Sequence, residues 1–92
     1  MFIPNRMQVE EDNYQLALEV TKVDENSIDL FYTNNLVREF SEKYGIPFLD
    51  LTPRFREENK KVRLYFTWDS HWTKEGHRLA GEILSEKLES LL

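Results

Sequence analysis

Two residues suited to proton-transfer chemistry, Asp69 and His71, lie two positions apart in a stretch flanked by Trp68 and Trp72. A nucleophilic serine needs a base to take its proton. An imidazole serves best when a carboxylate fixes its tautomer and stabilises its protonated form. Asp-x-His on a loop can present both side chains to one pocket, and we expect the two tryptophans to shield the pair from water. The pattern indicates His71 as a candidate general base and Asp69 as the acid that orients it.

Two other interpretations of this stretch are open on the residues alone. An Asp-x-His pair can be incidental, with both side chains forming part of an ordinary protein surface. Alternatively, Asp69, His71 and His77 could ligate zinc or a similar ion through carboxylate and imidazole groups. Their spacing does not match a helical pair of histidines four residues apart, and the chain has no cysteine to support such a site. We therefore expect no metal and no other cofactor.

Helices predicted from hydrophobic periodicity surround this stretch. Their ends are indicated by capping residues, by a proline at a first helical position, and by Gly45, which tolerates a left-handed backbone after a helix. The last helix is amphipathic and follows directly after Trp72, so Asp69 and His71 are expected on the loop ahead of it. The helices are expected at residues 10–23, from Thr33 or Asn34 to Gly45, from Thr52, and from a Thr73 cap to about Leu91.

Three short apolar segments are expected to form a sheet: the N-terminal residues, residues 46–51 and residues 62–66. A helix, a one-residue turn and a buried strand make an αβ unit, which favours a parallel sheet with helices on its faces. We therefore predict an α/β fold for a single domain spanning residues 1–92. The expected architecture is a partial flavodoxin-like three-layer αβα sandwich with a short parallel sheet.

The composition excludes several classes of function. The 92 residues include six Phe, four Tyr and two Trp, which is enough ring surface to indicate a packed core. The formal net charge of −5 argues against a nucleic-acid partner, because phosphate binding needs clustered Lys and Arg. No apolar run reaches the length of a membrane span. We expect a folded domain with no nucleic-acid partner and no membrane segment, and the sequence does not indicate a compartment.

The blocks around Asp69 and His71 give the pair a wider context. The chain reads Ile-Pro-Phe-Leu-Asp-Leu-Thr-Pro, then Leu-Tyr-Phe, then Asp-Ser-His-Trp-Thr-Lys-Glu-Gly-His-Arg-Leu-Ala, before a terminal amphipathic helix. In this order the blocks resemble the C-terminal part of SGNH (GDSL-like) hydrolases, in the branch whose last block is Asp-x-His-Trp. The start of the chain, Phe2-Ile3-Pro4 followed by Gln8-Val9, also resembles a strand of that family. The resemblance covers nearly the whole chain.

The resemblance implies roles for particular residues. His71 matches the family's general base, and Asp69 matches the acid that orients it. Gly76, His77 and Ala80 match the start of the closing helix, where small residues allow close packing. We therefore interpret His77 as structural and not as a second catalytic histidine.

The serine on which the family's chemistry depends has no counterpart among these residues. SGNH enzymes carry it in a Gly-Asp-Ser type of block, and a glycine and an asparagine from two other blocks help to build the oxyanion hole. None of the five serines lies in such a block, and Ser70 is expected to point away from the pocket shared by its neighbours. The serines are Ser27, Ser41, Ser70, Ser85 and Ser90.

Two hypotheses of function follow. The first is a fragment or truncated relative of an SGNH-type serine esterase or acylhydrolase, which carries the histidine and aspartate end of the triad and is inactive alone. The ester substrate would then belong to the complete parent enzyme. The second is a non-catalytic protein-interaction or self-associating module. Half of a sheet exposes a strand edge and apolar faces, so we expect a homodimer through the sheet region.

Overall fold

The computed structural model describes all 92 residues, and 60% of them are helical. The structure contains no β-strand and no sheet, so the predicted α/β fold and its flavodoxin-like αβα sandwich are wrong. A short 3-10 helix at Glu25–Ser27 joins the second and third of five α-helices. The α-helices are α1 (Arg6–Val9), α2 (Glu11–Thr21), α3 (Tyr32–Lys43), α4 (Thr52–Glu58) and α5 (Lys74–Leu91).

Two of the segments predicted as strands pair with each other at one point. Phe2 and Asp50 form an isolated parallel bridge. The Phe2 N–H donates to the Leu49 carbonyl at 2.6 Å, and the Leu51 N–H donates to the Phe2 carbonyl at 3.1 Å. The expected neighbours and their parallel direction are therefore present, but a single bridge does not make a sheet.

The bridge does not extend because a helix follows closely on each side. Asn5 caps α1 with its side chain, which accepts from the Gln8 N–H at 3.2 Å. The second extended segment ends at Leu51, directly before α4 begins at Thr52. Pro4 also limits the length of the bridge, because it has no N–H to donate to a further ladder hydrogen bond. Helix-start signals thus override the strand propensity of both short apolar runs.

The predicted helices are confirmed, with small changes at their ends. The helix expected at residues 10–23 is α2, and Gly45 follows α3 with a φ of 65°, as the predicted stop requires. α5 begins after Thr73, whose hydroxyl accepts from the Gly76 N–H as a cap should. The predicted cap of α3 is wrong, because Asn34 lies inside that helix and is buried.

The core forms where α1, α4 and α5 meet the extended residues that precede the Asp69–His71 loop. Phe55 is fully buried, and its ring packs edge-on against Tyr65 with 6.5 Å between ring centres. Leu79 and Ile83 supply the buried side of α5. The cluster consists of Val9, Leu51, Phe55, Leu64, Tyr65, Leu79, Ala80 and Ile83.

α3 is joined to this core through polar side chains. The Asn34 carbonyl oxygen accepts from Gln8 at 2.7 Å, and its amide donates to Asp50 and to the Thr52 hydroxyl, both at 2.9 Å. No buried side-chain polar atom is left without a partner. Because the inward side of α3 is polar, its apolar residues are left on the outside.

The molecule is a thin slab, with principal extents of 46, 32 and 18 Å. Its radius of gyration is 14.7 Å, whereas a compact domain of this length has about 12 Å. None of the helices combines the length and the apolar character needed to cross a membrane.

Candidate active site

The Asp69–His71 pair lies at the tip of a loop whose base is closed by backbone hydrogen bonds. Tyr65 and Trp72 form an isolated antiparallel bridge at the base. Above the bridge, the Phe66 N–H donates to the His71 carbonyl at 3.2 Å. The chain therefore reverses between residues 66 and 71 and carries both side chains out from the core.

The start of α5 holds the base of this loop. The Thr73 hydroxyl donates to the Arg63 carbonyl at 2.8 Å, in addition to capping the helix. Gly76 lies so close to the loop that a Cβ there would be 2.5 Å from the Leu64 carbonyl oxygen and 2.9 Å from the Trp72 Cβ. The small residue noted in the sequence is thus required by close packing.

The two predicted site residues are in contact. One carboxylate oxygen of Asp69 accepts from the His71 backbone N–H at 2.8 Å and also meets the Nδ1 atom of the His71 ring. A carboxylate only accepts hydrogen bonds, so a neutral imidazole in this contact carries its proton on Nδ1. The Nε2 atom is then the free base, which is the arrangement that activates a serine.

The same contacts favour the charged form of the acid. The backbone N–H of His71, assisted by its imidazole, holds the pKa of the Asp69 carboxyl below its usual value. Both side chains are open to water, with 85% of His71 and 53% of Asp69 exposed. Exposed pairs of this kind contribute little to folding stability.

The expected tryptophan shield is wrong. Trp68 is 96% exposed and covers neither residue of the pair. Trp72 turns inward, where its ring lies 5.3 Å from the ring of Phe55 and packs edge-on against His77 at 5.3 Å. This chain therefore does not exclude water from the site.

A shallow cavity of about 350 Å³ opens beside His71. Tyr65 and Trp72 line its apolar side, and His77 and Ser70 also border it. Asp69 does not border it, so the expectation that His71 and Asp69 share a pocket from which Ser70 is turned away is wrong. No serine hydroxyl is hydrogen bonded to His71, whose ring has Asp69 as its only hydrogen-bond partner.

Arg6 contributes to the site although nothing in its sequence context indicates it. Its guanidinium donates to the Thr67 carbonyl at 3.2 Å, and it forms an ion pair with the buried Glu10. Nearby, the Tyr65 hydroxyl donates to the Pro4 carbonyl at 3.2 Å. The N-terminal segment thus contacts the loop at Tyr65 and at Thr67. Each contact joins residues that are 61 positions apart in the sequence.

The metal interpretation finds no support in the geometry. The structure brings together no group of three His, Asp or Glu side chains that could hold an ion. Asp69 and His71 are in contact, but His77 packs on Trp72 and does not complete a set with them. Asp69, His71 and His77 therefore do not form a three-ligand set in this structure.

Comparison with known protein families gives a match over nearly the whole chain. A family model described as an SGNH hydrolase-like domain, acetyltransferase AlgX, matches residues 1–91. No significant match was found among curated proteins, and none among solved structures. The matched range contains the whole Asp69–His71 loop and the elements that hold it.

Proposed function

The chain belongs to the SGNH hydrolase-like domain family described for the acetyltransferase AlgX, and from this premise we propose that Asp69 and His71 are the acid–base half of an acyl-transfer or ester-hydrolysis site. In such a site the Nε2 atom of His71 takes the proton of a serine hydroxyl as the serine attacks the acyl carbon. The imidazolium then returns that proton to the leaving alcohol. Asp69 orients the ring and stabilises its charge.

One observation carries this proposal. A single oxygen of Asp69 receives both the His71 backbone N–H and its Nδ1. The backbone bond fixes the carboxylate on the loop, and the ring contact directs Nε2 away from it. Together the two contacts give the imidazole the fixed tautomer and direction that a general base needs.

We further propose that the nucleophile and the oxyanion-hole donors come from outside these 92 residues. No serine hydroxyl is hydrogen bonded to His71, and the pair faces open water. A second polypeptide segment over the loop would supply the serine and remove the water together, which strengthens the electrostatics of the pair. The 92 residues alone are then inactive as an esterase.

Labelling with a fluorophosphonate probe tests the proposal. The 92-residue chain should show no labelled serine and no hydrolysis of an aryl acetate above background. A longer polypeptide, which contains residues 1–92 together with the sequence that adjoins them in the gene on both sides, should become labelled. The label should be on one serine outside residues 1–92.

Matched histidine variants show whether His71 is the base. In the longer polypeptide, His71→Gln should reduce labelling by about 10³-fold or more, because a triad without its base retains little activity. His77→Gln changes the other histidine at the same cavity and should leave labelling within a few-fold. Equal effects of the two variants would reject His71 as the general base.

A non-catalytic interaction module is the second candidate function. The observation that favours it is the number of large apolar side chains on the surface, including Leu36, Phe40 and Tyr44 of one helix face. If no longer polypeptide gives serine labelling, the interaction function is the one that remains.

A further inference from the structure

The outward side of α3 carries an apolar stripe that nothing in the chain covers. Tyr32, Leu36, Phe40 and Tyr44 recur at every fourth position, so they lie along one side of the helix and its C-cap. Their exposed fractions run from 51% to 60%, and the rings of Phe40 and Tyr44 pack together with 4.8 Å between centres. A stripe of this kind on a surface marks an interaction site.

The amount of exposed surface matches one side of a protein interface. The chain exposes 6653 Å², whereas a folded monomer of this mass exposes about 5,700 Å². The difference of roughly 1,000 Å² compares with about 800 Å² buried on each partner of a standard interface.

The charged residues beside the stripe can pair with the same residues of a second copy of the chain. Arg38 and Glu42 pair with each other at 3.3 Å. Glu39 and Lys43 have no ion-pair partner, and the Lys43 Nζ lies 5.4 Å from the centre of the Tyr44 ring. Glu39 and Lys43 lie four residues apart along the same edge of the stripe. If two copies of α3 pack antiparallel with the two-fold axis level with Ser41, midway between positions 39 and 43, each Glu39 faces the second copy's Lys43.

We propose that two copies of this chain associate through the α3 stripe as a two-fold symmetric, antiparallel helix pair. A two-fold interface requires one patch to complement itself, which the stripe and its Glu39–Lys43 edge do. Aromatic residues dominate such interfaces. α5 also exposes a stripe of apolar side chains, but these are the aliphatic Leu84, Leu88 and Leu91. The α3 stripe, with its aromatic rings, therefore fits such an interface better. The α3 interface replaces the dimer expected through a sheet, since the chain forms no sheet.

Sedimentation of the 92-residue chain, from micromolar to submillimolar concentration, tests the dimer. Unchanged protein should sediment with the mass of two chains. The double variant Leu36→Glu with Phe40→Glu should sediment as one chain. Leu88→Glu is the matched control on α5, where the side chain is also 51% exposed, and it should remain a dimer. Circular dichroism checks that each variant is folded.

A charge exchange keeps the proposal testable if the double variant does not fold. At low salt, Glu39→Lys and Lys43→Glu should each weaken self-association by about tenfold, because two attractive pairs become repulsive. An equal mixture of the two variants should recover the affinity as a heterodimer, in which each altered position faces an opposite charge.

Several outcomes would overturn the proposal. One is a one-chain mass for unchanged protein throughout the concentration range. Another is a dimer that the α3 variants leave intact or that Leu88→Glu dissociates. A third is failure of the mixed charge variants to associate more tightly than either alone. Protection of α3 only within a longer polypeptide would identify an adjoining segment as the occupant and also reject the dimer.

Discussion

Asp69 contributes to the site through hydrogen bonds and not through burial. The contacts that lower its pKa come from one residue, His71, and involve the backbone before the side chain. Because a two-residue spacing is enough to form both contacts, the pairing of these side chains was predictable from sequence. Their exposure was not predictable, since it depends on which way two tryptophans turn. The catalytic role itself stays a prediction until a serine is shown to depend on it.

The lowered pKa of Asp69 makes a pH prediction at this scale. An unfolded aspartate titrates near pH 3.9, so the stabilisation from these contacts is fully present above about pH 5. It should be lost as the pH falls through the lower folded-state pKa. The difference in unfolding free energy between unchanged protein and Asp69→Asn should therefore shrink as the pH falls below about 5.

Urea denaturation at a series of pH values measures that difference. The backbone amide signal of His71 in NMR spectra should follow the same acidic transition, and Asp69→Asn should abolish that transition. A difference that grows on acidification would contradict the assignment of the contacts to charged Asp69.

The helices are the elements that the sequence specified well, because their ends carry local signals. Thr73, Pro53 and Gly45 act within a few residues of themselves and mark real helix ends. The predicted strands are wrong because local signals alone do not determine a strand. Residues 46–51 are apolar enough for a strand, but a helix starts directly after them, and a strand needs partners that local sequence does not provide.

Two glycines of α5 give a prediction at the scale of the element. Gly76→Ala should lower the free energy of unfolding by about 1–3 kcal/mol, because its Cβ would meet the Leu64 backbone and Trp72. Gly81→Ala is the matched control, since nothing lies within 4 Å of a Cβ there. It should raise stability by about 1 kcal/mol through helix propensity. Urea denaturation measures the free energy of unfolding of both variants. A Gly76→Ala variant that is more stable than unchanged protein would contradict the close approach of α5 to the loop.

Thr73 gives a second prediction for the same element. Thr73→Val keeps the shape but removes the cap and the bond to the Arg63 carbonyl, so stability should fall by about 1–2 kcal/mol. Hydrogen exchange should become faster in residues 66–73. Thr73→Ser retains the hydroxyl and should stay within about 0.5 kcal/mol of unchanged protein. Equal losses in both variants would show that the methyl group matters and the hydroxyl does not.

At the scale of the whole molecule, a small core is joined to a helix that turns its apolar side outward. The periodicity of α3 was predictable, but its orientation was not, because the buried Asn34 network fixes the helix by its polar side. Arg6 escaped prediction for a similar reason. Its contact with the Thr67 carbonyl joins residues 61 positions apart, and no local pattern encodes such a pair.

The stability of the slab should depend on few residues. Phe55 touches both Tyr65 and Trp72 and is fully buried. Phe55→Ala should therefore cost about 3–5 kcal/mol, which is a large part of the stability of a domain of this size. Leu16→Ala, at a site that is 55% exposed, should change stability by no more than about 0.5 kcal/mol. Thermal unfolding of the two variants compares them, and similar melting temperatures would contradict the location of the core.

The tautomer of His71 tests the central claim most directly. Long-range ¹H–¹⁵N NMR spectra, recorded on the 92-residue chain at a pH where the imidazole is neutral, distinguish a proton on Nδ1 from one on Nε2. His71 should carry its proton on Nδ1, facing Asp69, and Asp69→Asn should remove that preference while His77 stays unchanged. A His71 with its proton on Nε2, or one that does not respond to Asp69→Asn, would contradict the proposal that this loop presents an oriented general base.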